Sequence, residues 1–253
     1  MQLHFQTYGQ GKPLLILHGL LGSLENWQTA GLKLSTHFQV FAVDQRNHGR
    51  SPHTEEMNYS VMAEDLAHLM QAQGLNSAVV LGHSMGGKTA MQFALSYPQR
   101  VEKLVVVDIA PRAYAPRHEQ IFQALSSLDL SRFQTRKQIE EALAPGIPDL
   151  ATRQFLLKNL TRDSAGVFVW KNGLQEIHRA YPQLNLPVTS NSVFTKPVLC
   201  VRGEESDYVV EEDLGQIRAL FPNAQLLTIP AAGHWVHAEK PEAFVQGVLA
   251  FLR

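Results

Sequence analysis

Gly82-His83-Ser84-Met85-Gly86 sets a serine hydroxyl between two glycines, each two residues away. The apolar run Val79-Val80-Leu81 leads into it, and Met85, Thr89, Phe93 and Ala94 follow at helical spacings of three and four. Strand, tight turn, serine, helix is the context that gives a G-x-S-x-G pattern chemical meaning. Such a turn strains the serine backbone and crowds the flanking chain, so side chains at Gly82 and Gly86 would collide. The hydroxyl would then stand at a helix N-terminus, where a developing negative charge is favoured. A glycine-rich turn without chemistry is the lesser alternative, and the rest of the chain must decide.

A serine is a weak nucleophile until a base accepts its proton and a third group orients that base. His234, in Ala232-Gly233-His234-Trp235, follows the last apolar run, which puts it on the same sheet edge as Ser84 and makes it the expected general base. His234 and His237 stand three apart, a metal-compatible spacing, but no cysteine or carboxylate completes a ligand set, so no metal is expected. The single cysteine, Cys200, lies inside Pro197–Val201 and reads as a buried, inert thiol.

The elements that must position these groups alternate. Leu3 to Tyr8 reads as a short edge strand. Pro13–Leu17, Val40–Asp44, Val79–Gly82, Leu104–Asp108 and Pro197–Val201 are buried strands, and Leu226–Ile229 is the last strand. Helical patterns separate them: one opening at Asn26-Trp27, one led by Ser60 as N-cap, the stretch after Ser84, Leu214 to Phe221, and Glu242 to Leu252. This rhythm predicts an α/β fold with a mostly parallel sheet flanked by helices. Ligands in such sheets bind beyond the carboxyl ends of the strands, where His18, Asp44, Ser84 and Asp108 all fall. Between about Arg112 and Thr195 the rhythm breaks and helical periodicity replaces it. That stretch reads as a helical cap, residues 112–195, on a core of 1–111 and 196–253; a separate helical domain with its own partner is the alternative.

Composition narrows the function classes. Lys and Arg total 22 against 23 Asp and Glu, a net charge of −1, which gives no footprint for nucleic acid or an anionic membrane. No apolar run reaches membrane-spanning length, and the first residues carry no signal-peptide pattern, so a soluble, cytoplasmic protein is expected.

Taken together, the order serine then histidine, with His18-Gly19-Leu20-Leu21-Gly22 before the serine, resembles the α/β-hydrolase superfamily across nearly the whole chain. Arg46-Asn47-His48-Gly49, Gly82–Lys88, Asp108-Ile109-Ala110-Pro111 and Gly233–Pro241 resemble the YbfF-type bacterial esterases and their mitochondrial abhydrolase-domain relatives. The resemblance implies a cofactor-free serine esterase acting on small-molecule acyl esters, and in some relatives acyl thioesters, through an acyl-enzyme. The acid is open. Most such hydrolases carry it three residues past the glycine after the penultimate strand, but that position is Ser206; Asp207 is one residue late. Asp108 is the preferred acid by the YbfF-like pattern and Asp207 its rival. The backbone N–H groups of Leu20 and Met85 are the expected oxyanion donors, and Leu21 and Trp235 are expected to line the acyl pocket. The same fold could serve a cofactor-free lyase or peroxidase, or a binding protein without turnover. Oligomeric state is not legible.

Overall fold

The computed structural model describes all residues, Met1–Arg253. Nine strands form in chain order: β1 (Phe5–Tyr8), β2 (Lys12–Leu17), β3 (Phe38–Val43), β4 (Ala78–His83), β5 (Val101–Val107), β6 (Leu160–Arg162), β7 (Phe168–Trp170), β8 (Val198–Gly203) and β9 (Ala224–Ile229). Seven of them make one sheet in the order β1-β3-β2-β4-β5-β8-β9. Only β1 runs antiparallel, pairing Phe5 with Val43 through Tyr8 with Val40; every other neighbour is parallel.

Parity along the strands sorts the core. Leu15, Leu17, Val80, Leu104 and Val106 face one side, with Met62, Leu66 and Leu69 of α2 (Tyr59–Ala72) and Ala90, Phe93 and Ala94 of α3 (Met85–Ser96). Leu14, Ile16, Val79, Leu81, Val105 and Val107 face the other. There they meet Ala30 and Leu34 of α1 (Gln28–Leu34) and Phe244, Val245 and Val248 of the C-terminal helix, Pro241–Leu252. Strands buried on both faces have no polar side to show, which is why they read as unbroken apolar runs. The α2 helix starts one residue before Ser60. Its N-cap is Asn58, whose side chain accepts the Val61 N–H at 3.0 Å, because the Asn58 backbone is extended and Ser60 is already helical.

Between β5 and β8 lie α4 (Glu119–Ser127), α5 (Arg136–Leu143), α6 (Leu150–Leu157) and α7 (Leu174–Leu184), followed after β8 by α8 (Asp213–Leu220). The stretch is not purely helical. The short β6 and β7 pair antiparallel between α6 and α7, three residues each, too brief to show a period. Phe122, Leu125, Ile139, Leu156 and Ile177 of this segment join the same apolar cluster as the sheet and α2–α3. The segment is therefore packed onto the core as a roof, not built around a core of its own. A short helix, α9 (Val236–Glu239), precedes α10, the C-terminal helix named above. No helix is long and apolar enough to cross a membrane.

Candidate active site

Ser84 follows β4 and caps α3. Its backbone lies at φ 54°, ψ −120°, a region that L-residues avoid. What holds it there is close packing. A Cβ on Gly82 would come within 2.1 Å of the Gly86 carbonyl oxygen, and one on Gly86 within 2.5 Å of the His18 and Leu17 carbonyl oxygens. The Ser84 N–H donates to the Val107 carbonyl at 3.0 Å, tying the turn to β5.

Asp108 ends β5, also at positive φ (51°), and is fully buried. Its Oδ2 meets His234 Nδ1 at 2.8 Å. Its Oδ1 accepts the Gly203 N–H at 3.0 Å, and the Ser206 hydroxyl donates to Oδ2. Ser206, three residues past Gly203, thus hydrogen-bonds the aspartate that follows β5. Asp207 is elsewhere: its carboxylate is exposed and pairs with Arg117 Nη1 at 2.8 Å. The structure brings Asp108 to His234 and leaves Asp207 out.

Burial disfavours charge on both members of the pair. It pushes the Asp108 carboxyl up to about 6, opposed by the Ser206 and Gly203 hydrogen bonds, and the His234 imidazole down to about 3, aided by His118 nearby. At neutral pH the carboxylate is ionised and the imidazole neutral. With Nδ1–H donated to Asp108, Nε2 is left as an acceptor. The imidazole lies flat on Tyr208 (centroids 3.7 Å, 18°), and His83 Nε2 meets the His234 carbonyl oxygen at 2.9 Å, so both ring and backbone are held. Ser84 and His234 line one pocket, with no hydrogen bond between hydroxyl and imidazole; such bonds often form only when substrate is present.

Facing Ser84 is the turn after β2. The Leu20 N–H donates to no protein group, and Met85 is the first residue of α3, whose N–H no helical carbonyl can reach. The turn is braced from below by two neutral histidines. His48 Nε2 accepts the Leu21 N–H at 3.1 Å, so its Nδ1 carries the proton and donates to the Arg46 carbonyl at 2.9 Å. His18 Nε2 accepts the Gln45 N–H at 3.1 Å, so its Nδ1 donates to the Gly19 carbonyl at 2.8 Å. Burial pushes these imidazoles down to about 3 and about 4. From above, Asn159 Nδ2 donates to the Leu21 carbonyl at 2.5 Å. Leu21 itself is buried at φ 56°.

Two chambers open from Ser84 and share Leu20, Ser84, His118 and Tyr208. One is lined by Leu21, Phe155, Leu156, His234 and Trp235, with Phe155 stacked on Trp235 at 5.4 Å. The other runs between Met85, Ile109, Tyr59, Lys88, Tyr114 and Tyr181. His237 faces away and stacks on Trp27 at 4.0 Å; Cys200 is buried in β8, its thiol pushed up to about 12. Sequence reasoning missed Ser206, His48, Asn159 and His118. Ser206 stood at a position already singled out, and His48 lay within a quoted motif. Nothing local marked Asn159 or His118, which act across long sequence separations.

A family model described as the alpha/beta hydrolase fold matches residues 12–241. The sn-1-specific diacylglycerol lipase ABHD11 of Danio rerio is 37% identical over 258 residues, covering 98% of this chain and 81% of its own. Esterase YbfF of Escherichia coli (strain K12) is 35% identical over 248 residues, covering 98% and 95%. Among solved structures, a marine microorganism esterase superposes with a TM-score of 0.96 at 44% identity, covering 99% of each chain. The likeness runs through both halves of the sheet and the roof between them, and the chain belongs to the α/β-hydrolase family.

Proposed function

We propose that the protein is a serine esterase that works through an acyl-enzyme on Ser84. The Ser84 hydroxyl attacks the ester carbonyl as His234 Nε2 takes its proton. The Asp108 carboxylate holds the Nδ1–H tautomer and stabilises the imidazolium. The carbonyl oxygen, now negative, is received by the Leu20 and Met85 amides, each worth on the order of 3 kcal/mol in the transition state. Imidazolium then protonates the leaving oxygen, and water, activated by the same imidazole, releases the acid. A thioester could enter the same cycle, since a thiolate leaves readily. Apart from substrate and water, every group in the cycle belongs to the chain.

The observation that carries this reading is the Asp108–His234 pair at 2.8 Å, opening onto the pocket that the strained Ser84 also lines. The named relatives, a diacylglycerol lipase and esterases, support ester hydrolysis as the reaction class. A fluorophosphonate probe should label Ser84 in the wild type and fail on Ser84→Ala, and the variant should lose at least about 10³-fold in hydrolysis of p-nitrophenyl esters at unchanged melting temperature. Activity within about tenfold of wild type in that variant would rule out Ser84 as nucleophile. The same panel extended to acyl-CoA thioesters ranks the two substrate classes.

A further inference from the structure

The chamber on the Tyr59 side of Ser84 holds a buried lysine amine without an acidic partner. Lys88 follows Ser84 by one helical turn on α3 and is 1% exposed. Its Nζ donates to the Leu186 carbonyl at 2.7 Å and lies 4.9 and 5.6 Å from the ring centres of Tyr114 and Tyr59. An ammonium has three N–H donors, and only one finds an acceptor here. No carboxylate pairs with it, and no Asp or Glu lines the chamber. The ring hydroxyls are committed: Tyr59 to the Leu184 carbonyl and Tyr114 to the Tyr208 carbonyl. Removing an ammonium from water without a counter-charge is costly. Burial, with Arg112 nearby, accordingly pushes Lys88 down to about 7.

A second donor faces the same space. The Tyr181 hydroxyl oxygen receives the backbone N–H groups of Arg117 (2.9 Å) and His118 (3.1 Å). Both lone pairs being used, its own hydrogen must go to His118 Nδ1 at 2.8 Å. His118 is therefore the Nε2–H tautomer, and that N–H has no protein partner in the cavity wall it shares with Ser84.

We propose that this chamber binds a carboxylate carried on the acyl part of the substrate, so that the enzyme favours short half-esters of dicarboxylic acids. The inference rests on the esterase reading above. The acyl side is assigned because His234, which must protonate the leaving oxygen, lines only the other chamber. The alcohol then occupies the Leu21 and Trp235 chamber, where the sequence placed the acyl group. Lys88 begins about 6 Å along the helix from Ser84, which suits a spacer of a few carbons.

The test compares kcat/KM for monoethyl succinate with that for ethyl levulinate, its uncharged isostere, in wild type and Lys88→Met. The wild-type ratio should favour the half-ester, and the variant should lower that ratio by about tenfold or more. Should Lys88→Met fail to fold, succinate should still inhibit the wild type at least about tenfold better than succinamide, its neutral diamide. A ratio that Lys88→Met changes by less than about twofold, or succinate no better than succinamide, overturns the proposal and leaves Lys88 as a tie between α3 and the roof. A preference for 3-acetoxypropanoate, with the carboxylate on the alcohol, overturns the acyl assignment. Failure of every ester, charged or neutral, would instead remove the esterase reading.

Discussion

Two aspartates stood as candidates, and their surroundings are opposite. Asp108 is enclosed, receives two hydrogen bonds and touches His234; Asp207 is exposed and paired to Arg117. Asp108→Asn should lower kcat on the order of 10³–10⁴-fold, because an amide in that place favours the wrong imidazole tautomer. Asp207→Asn should cost less than about tenfold, since an exposed ion pair is worth about 1 kcal/mol or less. The reverse ranking in steady-state kinetics would reassign the acid. The same pair sets the pH profile. A carboxyl raised to about 6 is ionised above that pH and protonates as the pH falls through it, while His234, lowered to about 3, stays neutral throughout. Activity should therefore be level above about pH 6 and fall below it, and the limb should vanish in Asp108→Asn.

At the scale of elements, the elbow shows what glycine pattern alone conveys. Gly86 is pressed against two carbonyl oxygens, so Gly86→Ala should destabilise by about 1–3 kcal/mol in chemical denaturation. Gly215, exposed within α8 with open space around it, should respond oppositely, Gly215→Ala gaining about 1 kcal/mol. The strands and the elbow were legible because parallel strands buried on both faces leave long apolar runs, and a nucleophile turn needs glycines at fixed offsets. Helix starts were less so: Asn58 and Ser60 are both good caps, and only the backbone at Asn58 decides between them. The β6–β7 hairpin was invisible, its strands too short for a period. At the site, Ser84, His234 and the Asp108–Asp207 alternatives could be named from position along the chain. The preference for Asp108 came from the family resemblance and not from position, because the contact itself depends on Ser206 and on residues 126 apart.

For the whole molecule, the roof supplies part of the cavity wall beside Ser84. Phe155 of α6 stacks on Trp235 in the wall of that chamber and forms no hydrogen bond through its side chain. Phe155→Ala should shift the preferred ester toward larger groups, with kcat/KM gaining up to about fourfold for each methylene newly buried. Labelling of Ser84 by a small phosphonate should change by less than about threefold. An unchanged size ranking across an ester series would mean that this wall does not select substrate.

The roof is also tied to the loops that shape the turn after β2, beside Ser84. Asn159 holds the Leu21 carbonyl, Asn172 accepts the Gly49 N–H at 3.0 Å, and the Gly173 N–H reaches the Asn47 carbonyl at 2.9 Å. Leu21 and Asn47 are themselves at positive φ, so these bonds fall where the backbone is least content to stay. Any swing of the roof wide enough to break them would let Leu21 and Asn47 relax and would disperse the amide donors beside Ser84. The roof contacts and the shape of the turn beside Ser84 are thus one linked feature, so that loss of the first would loosen the second.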